Sequence, residues 1–178
     1  MKKLLTIGSI GLVLASCGGI TPENATANAA SQSISSGSKK SVTGEAFGPL
    51  VLGQKPSQVV NLLGEPQSKG KKTMQEATGT SIQEWNYPAK GLTVFIESSG
   101  ADDALSMIQA TGNCKFATAR GIKIGSSEEA VKKAYAKERS QDGSSDGNSF
   151  LAGSPYDGVV FTFKSGKVSE IFVGAAAE

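Results

Sequence analysis

Histidine is missing from all 178 residues of this chain. Its absence removes the commonest general base, the usual proton switch near neutral pH and the commonest metal ligand. Cysteine is nearly as scarce, with only Cys17 and Cys114. Cys17 belongs to a leader motif discussed below, so Cys114 is left without an intrachain disulfide partner. It reads as a small buried apolar residue, with an intermolecular disulfide as the other reading. As a nucleophile Cys114 would need a base, and no histidine exists to serve. An excess of one charge is lacking too. Of 18 basic residues, Lys2 and Lys3 fall in the leader, which leaves 16 against 16 acidic residues. A balanced chain gives no electrostatic case for nucleic acid. No phosphate-binding glycine loop, nucleophile elbow or zinc spacing occurs. The acid pairs Asp102-Asp103 and Glu128-Glu129 are adjacent in sequence, in a turn and a helix first turn, where solvation and the helix dipole explain them. These absences argue for a non-enzymatic protein and predict no cofactor and no metal.

What is present begins with a processing signal over residues 1–16. Lys2 and Lys3 precede the apolar stretch Leu4 to Val13, which is short of the roughly 20 residues a membrane span requires. The stretch ends in Leu14-Ala15-Ser16-Cys17. This resembles the bacterial lipobox, in which the signal is cut before a cysteine that then carries lipid. The resemblance implies lipidation of Cys17, and several acyl chains on one residue anchor stably where one binds marginally. Gly18 stands where an aspartate would favour retention in the inner membrane, so the same resemblance implies the outer membrane of a two-membraned bacterium. Residues 17–45 then form the lipidated cysteine and a tether rich in Ser, Ala, Gly, Asn and Thr, with no aromatic residue. Such a segment buries too little apolar area to offset its ordering entropy. As a coil it spans about 30 Å.

The rest, residues 46–178, is one domain's worth of chain, and one pattern occurs in it twice. Leu50 to Leu63 and Ile122 to Tyr135 match at a constant offset, Gly53 with Gly125, Val59 with Val131, Leu63 with Tyr135. Each copy reads as an extended segment, a Gly turn and a short helix. Pro56 suits a first helical turn, Gly64 and Pro66 stop the first helix, and Ser126 or Ser127 caps the second. Strand-like runs follow each. Leu92, Val94 and Ile96 alternate inward while Thr93, Phe95 and Glu97 face the other way. Val159, Phe161 and Phe163 likewise point in, and Val160, Thr162 and Lys164 out. Val168, Ile171 and Val173 keep the inward count only if a bulge falls near Ser169-Glu170. The expected fold class is therefore α+β. Two tandem repeats, 46–110 and 111–178, each place a short helix before an antiparallel meander, with the helices packed on one face of a curved sheet.

Two polar segments carry alternative readings. Lys69 to Lys72 is a basic cluster read as a solvated loop, or as a contact for anionic headgroups. Asp142, Ser144, Asp146 and Gly147 loosely match the opening of a calcium loop, but Gly153 stands where the bidentate acid belongs. The bland reading is a polar Gly/Ser/Asp loop.

The helix, Trp85-x-Tyr87, Gly91 and the alternating strand, followed by Gly121 to Gly125, Val131 and Tyr135, resemble the small outer-membrane lipoproteins of the SmpA/OmlA type. One of these is an accessory subunit of the machinery that assembles outer-membrane β-barrels. Two such units in tandem resemble the β-lactamase inhibitory protein. The resemblance implies a concave sheet that works by protein contact, with an envelope protein as partner. In this sequence the outward-facing candidates for a protein-binding site are Phe95, Val160, Thr162, Trp85 and Tyr87, Trp85 reading also as a core residue. The functional expectation is a lipid-anchored envelope protein that binds another protein, in outer-membrane assembly or maintenance or as an inhibitor-like binder. The alternative is a carrier of a small apolar ligand or lipid.

Overall fold

The computed structural model describes residues 45–140, 144 and 148–176. The signal, Cys17, the tether up to residue 44, and Asp142, Asp146 and Gly147 of the calcium-like loop lie outside the described residues. Helix α1 spans Pro56–Leu63 and helix α2 spans Glu128–Ala134. The strands are β1 (Ser68–Lys69), β2 (Thr73–Gln75), β3 (Thr80–Tyr87), β4 (Leu92–Ser99), β5 (Asp102–Thr111), β6 (Ser149–Ser154), β7 (Asp157–Lys164) and β8 (Lys167–Gly174). They form one eight-stranded sheet in the order β1-β3-β4-β5-β8-β7-β6, with β2 also pairing β3. Every neighbouring pair is antiparallel.

This overturns the expected α+β class with two tandem helix-and-meander repeats. The architecture is a single, mostly antiparallel sheet to which the helices are minor additions. Two physical reasons stand out. The helices have 8 and 7 residues, about two turns each, too short to form a layer of their own. Strand β5 also pairs directly with β8 through Ile108↔Val173 and Ala110↔Ile171. The sheet therefore runs across the boundary placed at residue 110, and the two halves share one core.

Alternation along the strands builds that core. Trp85 and Tyr87 of β3, Val94 of β4, Ile108 of β5, Ile171 of β8, Phe161 of β7 and Phe150 of β6 all point to one face. Val59 and Leu63 of α1, Val131 of α2, and Phe47, Leu50 and Tyr135 close over it. Both helices begin as their sequences direct. Pro56 occupies the first turn of α1, where the Lys55 N–H donates to the Gln58 side chain at 2.8 Å. The Ser127 hydroxyl accepts from the Ala130 N–H and caps α2. The loops before them dock alike. The Gly53 N–H donates to the Leu105 carbonyl of β5 at 2.7 Å, and the Gly125 N–H to the Val168 carbonyl of β8 at 2.8 Å. Cys114 is buried in the cluster, and burial raises its thiol pKa.

Two bulges shape the sheet. The β7–β8 register shifts between Thr162 and Phe163, leaving Ser169 as the extra residue, where the alternation required it. The β4–β5 register shifts between Phe95 and Ile96, opposite Ser106, and nothing in the sequence announces this one.

Candidate functional site

The face opposite the helices is the candidate site, because its apolar side chains are only partly covered. Phe95 pairs with Met107 across β4 and β5. Phe172 of β8 pairs with Val160 of β7. Met107 and Phe172 lie on adjacent strands, since Gln109, two residues on from Met107, is the register partner of Phe172. Diagonal neighbours of this kind remain within reach of large side chains. The four residues are each partly exposed and form an apolar band running obliquely over β4, β5, β8 and β7. Leu151, the partner of Val160 on β6, extends the band but is itself buried.

Polar groups border one side of the band. Thr93 donates to the Asn86 side chain at 3.1 Å, and Gln109 donates to the Glu170 carboxylate at 2.9 Å. Thr162, the register partner of Glu170, is exposed and continues this polar border. On the other side lies a cleft of about 490 Å³. Ile82, Glu97, Ser106 and Met107 form its floor, the turn Gln75 to Thr80 makes one wall, and Tyr156 and Asp157 make the other. The Phe95/Ile96 bulge sets the floor, because the extra residue in β5 brings Ser106 and Met107 to the cleft together. Gly174 backs this arrangement. A Cβ there would stand 2.8 Å from both the Met107 side chain and the Ser106 carbonyl.

The sheet edges offer less. At one end β1 and β2 both pair β3 and are only two and three residues long. Lys69, Lys71 and Lys72 crowd that margin. Short, lysine-bearing edge strands resist strand addition. At the other end β6 is already covered, with Ser140 donating to Leu151 and Gly153 donating to Glu138.

The structure therefore sorts the five sequence candidates. Phe95 and Val160 lie in the band and Thr162 on its border. Trp85 and Tyr87 do not belong to the site: they are 6% and 4% exposed, on the core face. Register decides this, since Trp85 pairs with Val94 and Tyr87 with Leu92, both inward residues. Their polar atoms are used internally, the Trp85 indole donating to Gln83 and the Tyr87 hydroxyl to the Gly64 carbonyl. Lys69 stands 4.2 Å over the Trp85 ring, so this lysine of the basic cluster has a structural contact rather than a free loop position. Met107 and Phe172 were not singled out from sequence. Phe172 had a usable signal, flanked as it is by the inward Ile171 and Val173. Met107 had none, because its face depends on the bulge.

One buried polar cluster lies outside this face. The Glu45 carboxylate accepts from the Tyr135 hydroxyl at 2.6 Å and lies 3.6 Å from the Arg120 guanidinium. Arg120 also makes a two-pronged pair with Glu138 at 2.8 and 3.1 Å. Burial, then the bond to Glu45, raises the Tyr135 pKa, and the bond from Arg120 lowers that of Glu138. The cluster is paired internally and acts as a clamp. Among the described residues, no group of three acidic or cysteine side chains gathers to hold a metal ion, and no helix is long and apolar enough to cross a membrane. Comparison of the chain with known family models, characterised proteins and solved structures gives no match.

Proposed function

We propose that this chain is a lipid-anchored protein of the bacterial cell envelope, probing its surroundings on a tether and binding another envelope protein through the open face of its sheet. The observation that carries the reading is the oblique band of Phe95, Met107, Phe172 and Val160, partly exposed beside a polar border. An apolar patch rimmed by polar groups marks an interaction surface, and aromatic side chains and Met are enriched in such interfaces. The blunted edges leave the face as the route of approach. The lipobox-like Leu14 to Cys17 supports the anchor, and Gly18 supports the outer membrane. The resemblance to small outer-membrane lipoproteins supports a partner in assembly or maintenance of that membrane. The reading is non-enzymatic. The chain has no histidine, and Cys114 is buried with its thiol pKa raised, which is the reverse of an activated nucleophile.

The test is crosslinking and affinity capture from envelopes with the lipidated wild-type chain, beside a Phe95→Glu, Val160→Glu double variant whose circular dichroism and melting match wild type. Wild type is expected to capture one defined protein that the variant does not. Equal capture by both would place the contact elsewhere and end the open-face reading. A Cys17→Ser chain released from the membrane fraction supports the anchor; one that stays membrane-bound refutes it.

A further inference from the structure

The cleft beside the apolar band shares Met107 with it but has a chemistry of its own. Its volume of about 490 Å³ lies in the range of small-molecule sites, roughly 300–1,000 Å³. Leu52, Ile82, Met107 and the Tyr156 ring supply apolar lining. Two acidic side chains, Glu97 and Asp157, line it as well, and among the described residues no lysine or arginine does. Glu97 is the informative one. Its cross-strand neighbours are Ile82 and Ala104, neither of which can pair with it. It is half-buried, and among the described residues it makes no hydrogen bond or ion pair.

An acidic group held partly out of water against apolar walls, with no partner, discriminates strongly among ligands. A wholly apolar molecule would strip water from Glu97 and return nothing, which is costly. An anion would add repulsion from Glu97. A molecule with an apolar body and a cationic head would bury its body on Ile82, Met107 and Tyr156 and give Glu97 a charge-assisted hydrogen bond in a medium where that bond is strengthened. We infer that the cleft is a binding site for a small amphiphilic cation, an apolar group carrying a protonated amine or guanidinium, with Glu97 as the residue that recognises the charge.

The experiment uses the full chain with Cys17→Ser, so that no acyl chain competes. Three probes share one body and differ in head group: 4-phenylbutylamine, 4-phenylbutanol and 4-phenylbutanoate. Calorimetric titration gives affinity, and backbone amide shifts locate the site. The amine is expected to bind at least about tenfold more tightly than the alcohol, with the carboxylate weakest and the shifts centred on Ile82, Glu97 and Met107. Glu97→Gln, isosteric and partly exposed, is expected to bring the amine to parity with the alcohol. Met107→Lys, which supplies an internal cation beside the carboxylate, is expected to abolish amine binding. Val160→Glu, outside the cleft lining, keeps amine binding, which separates this site from the protein-binding face. Parity of the three probes in the parent chain, an amine preference that survives Glu97→Gln, or shifts outside the cleft would each overturn the assignment.

Discussion

The Tyr135 hydroxyl donates a 2.6 Å hydrogen bond to the carboxylate of Glu45, 90 residues earlier in the chain. Both residues are buried. The bond joins the first described residue to the end of α2, and Arg120 completes it by stacking 4.6 Å from the Tyr135 ring while its backbone N–H donates to Glu45 at 3.3 Å. The first described residue is thereby tied into the core of the folded domain.

Tyr135→Phe tests that clamp. The ring packing on Phe161, at 5.0 Å between centroids, is retained, and only the hydroxyl is lost. Glu45 then stays buried with one strong donor fewer, at an expected cost of about 1.5–3 kcal/mol. Urea unfolding monitored by circular dichroism measures it. A change below about 0.5 kcal/mol would mean that Arg120 alone satisfies Glu45.

The same residue sets an alkaline limit. The folded phenol keeps its proton above the pH at which the unfolded phenol loses it, near pH ~10. In that window the folded state binds more protons, so stability falls as pH rises, by up to about 1.4 kcal/mol per pH unit for each such group. Below the unfolded pKa the contribution is complete. Tyr87 is also raised, by burial and then by Glu65, so Tyr135→Phe should flatten the slope without removing it. Denaturation midpoints at roughly pH 9, 10 and 11 provide the check.

Gly91 and Gly112 separate backbone strain from collision. Both have positive φ, 62° and 54°, and alanine at either carries the left-handed penalty of about 1–2 kcal/mol. Around Gly112 the space is open, whereas a Cβ on Gly91 would lie 2.4 Å from the Thr111 carbonyl and 2.6 Å from the Cys114 nitrogen. Gly91→Ala should therefore cost about 2–4 kcal/mol more than Gly112→Ala. Equal losses in paired melts would show that the turn before β4 and the segment after β5 can move apart.

Phe161 and Phe95 stand on opposite faces of the sheet. Phe161→Ala should cost about 3–5 kcal/mol, because it empties a site that is fully buried. Phe95→Ala should cost under about 1.5 kcal/mol, because its ring is already partly in water. Guanidinium unfolding of the two variants gives the comparison. A large loss at Phe95 would mean that the ring is structural and would weaken its assignment to a binding face.

Local periodicity made much of the sheet legible in advance. The alternation from Leu92 to Glu97 and from Val159 to Lys164 placed each side chain on the face it occupies. The broken count between Val168 and Ile171 called for an irregularity near Ser169-Glu170, and the register skips Ser169 there. A serine cap at Ser126 or Ser127, which falls on Ser127, and Pro56 in a first turn were equally legible, because each acts on backbone groups within one helical turn. The short strands β1 and β2 gave no such signal. Their residues are mostly exposed, so no alternation records them. The fold class failed on the β5–β8 ladder, since backbone hydrogen bonds between distant strands leave no mark in the sequences of the strands that make them. As site candidates Trp85 and Tyr87 failed for a related reason, although Trp85 takes the core place that was its other reading: an aromatic residue reads alike on either face until its cross-strand partner is known.

The sequence alone determined which residues alternate, where helices start and stop, and the absence of histidine chemistry, and it carries the lipobox-like Leu14 to Cys17 on which the proposed anchor rests. These are properties of neighbouring residues. Tertiary structure alone decided that eight strands form one sheet, that Met107 and Phe172 join Phe95 and Val160 in a band, and that Glu97 faces a cleft where no lysine or arginine stands among the described residues. Those depend on strand order, on a bulge that redirects two side chains, and on turns far apart in the chain meeting over one floor. They are fixed by long-range pairing and close packing, which composition and period cannot encode.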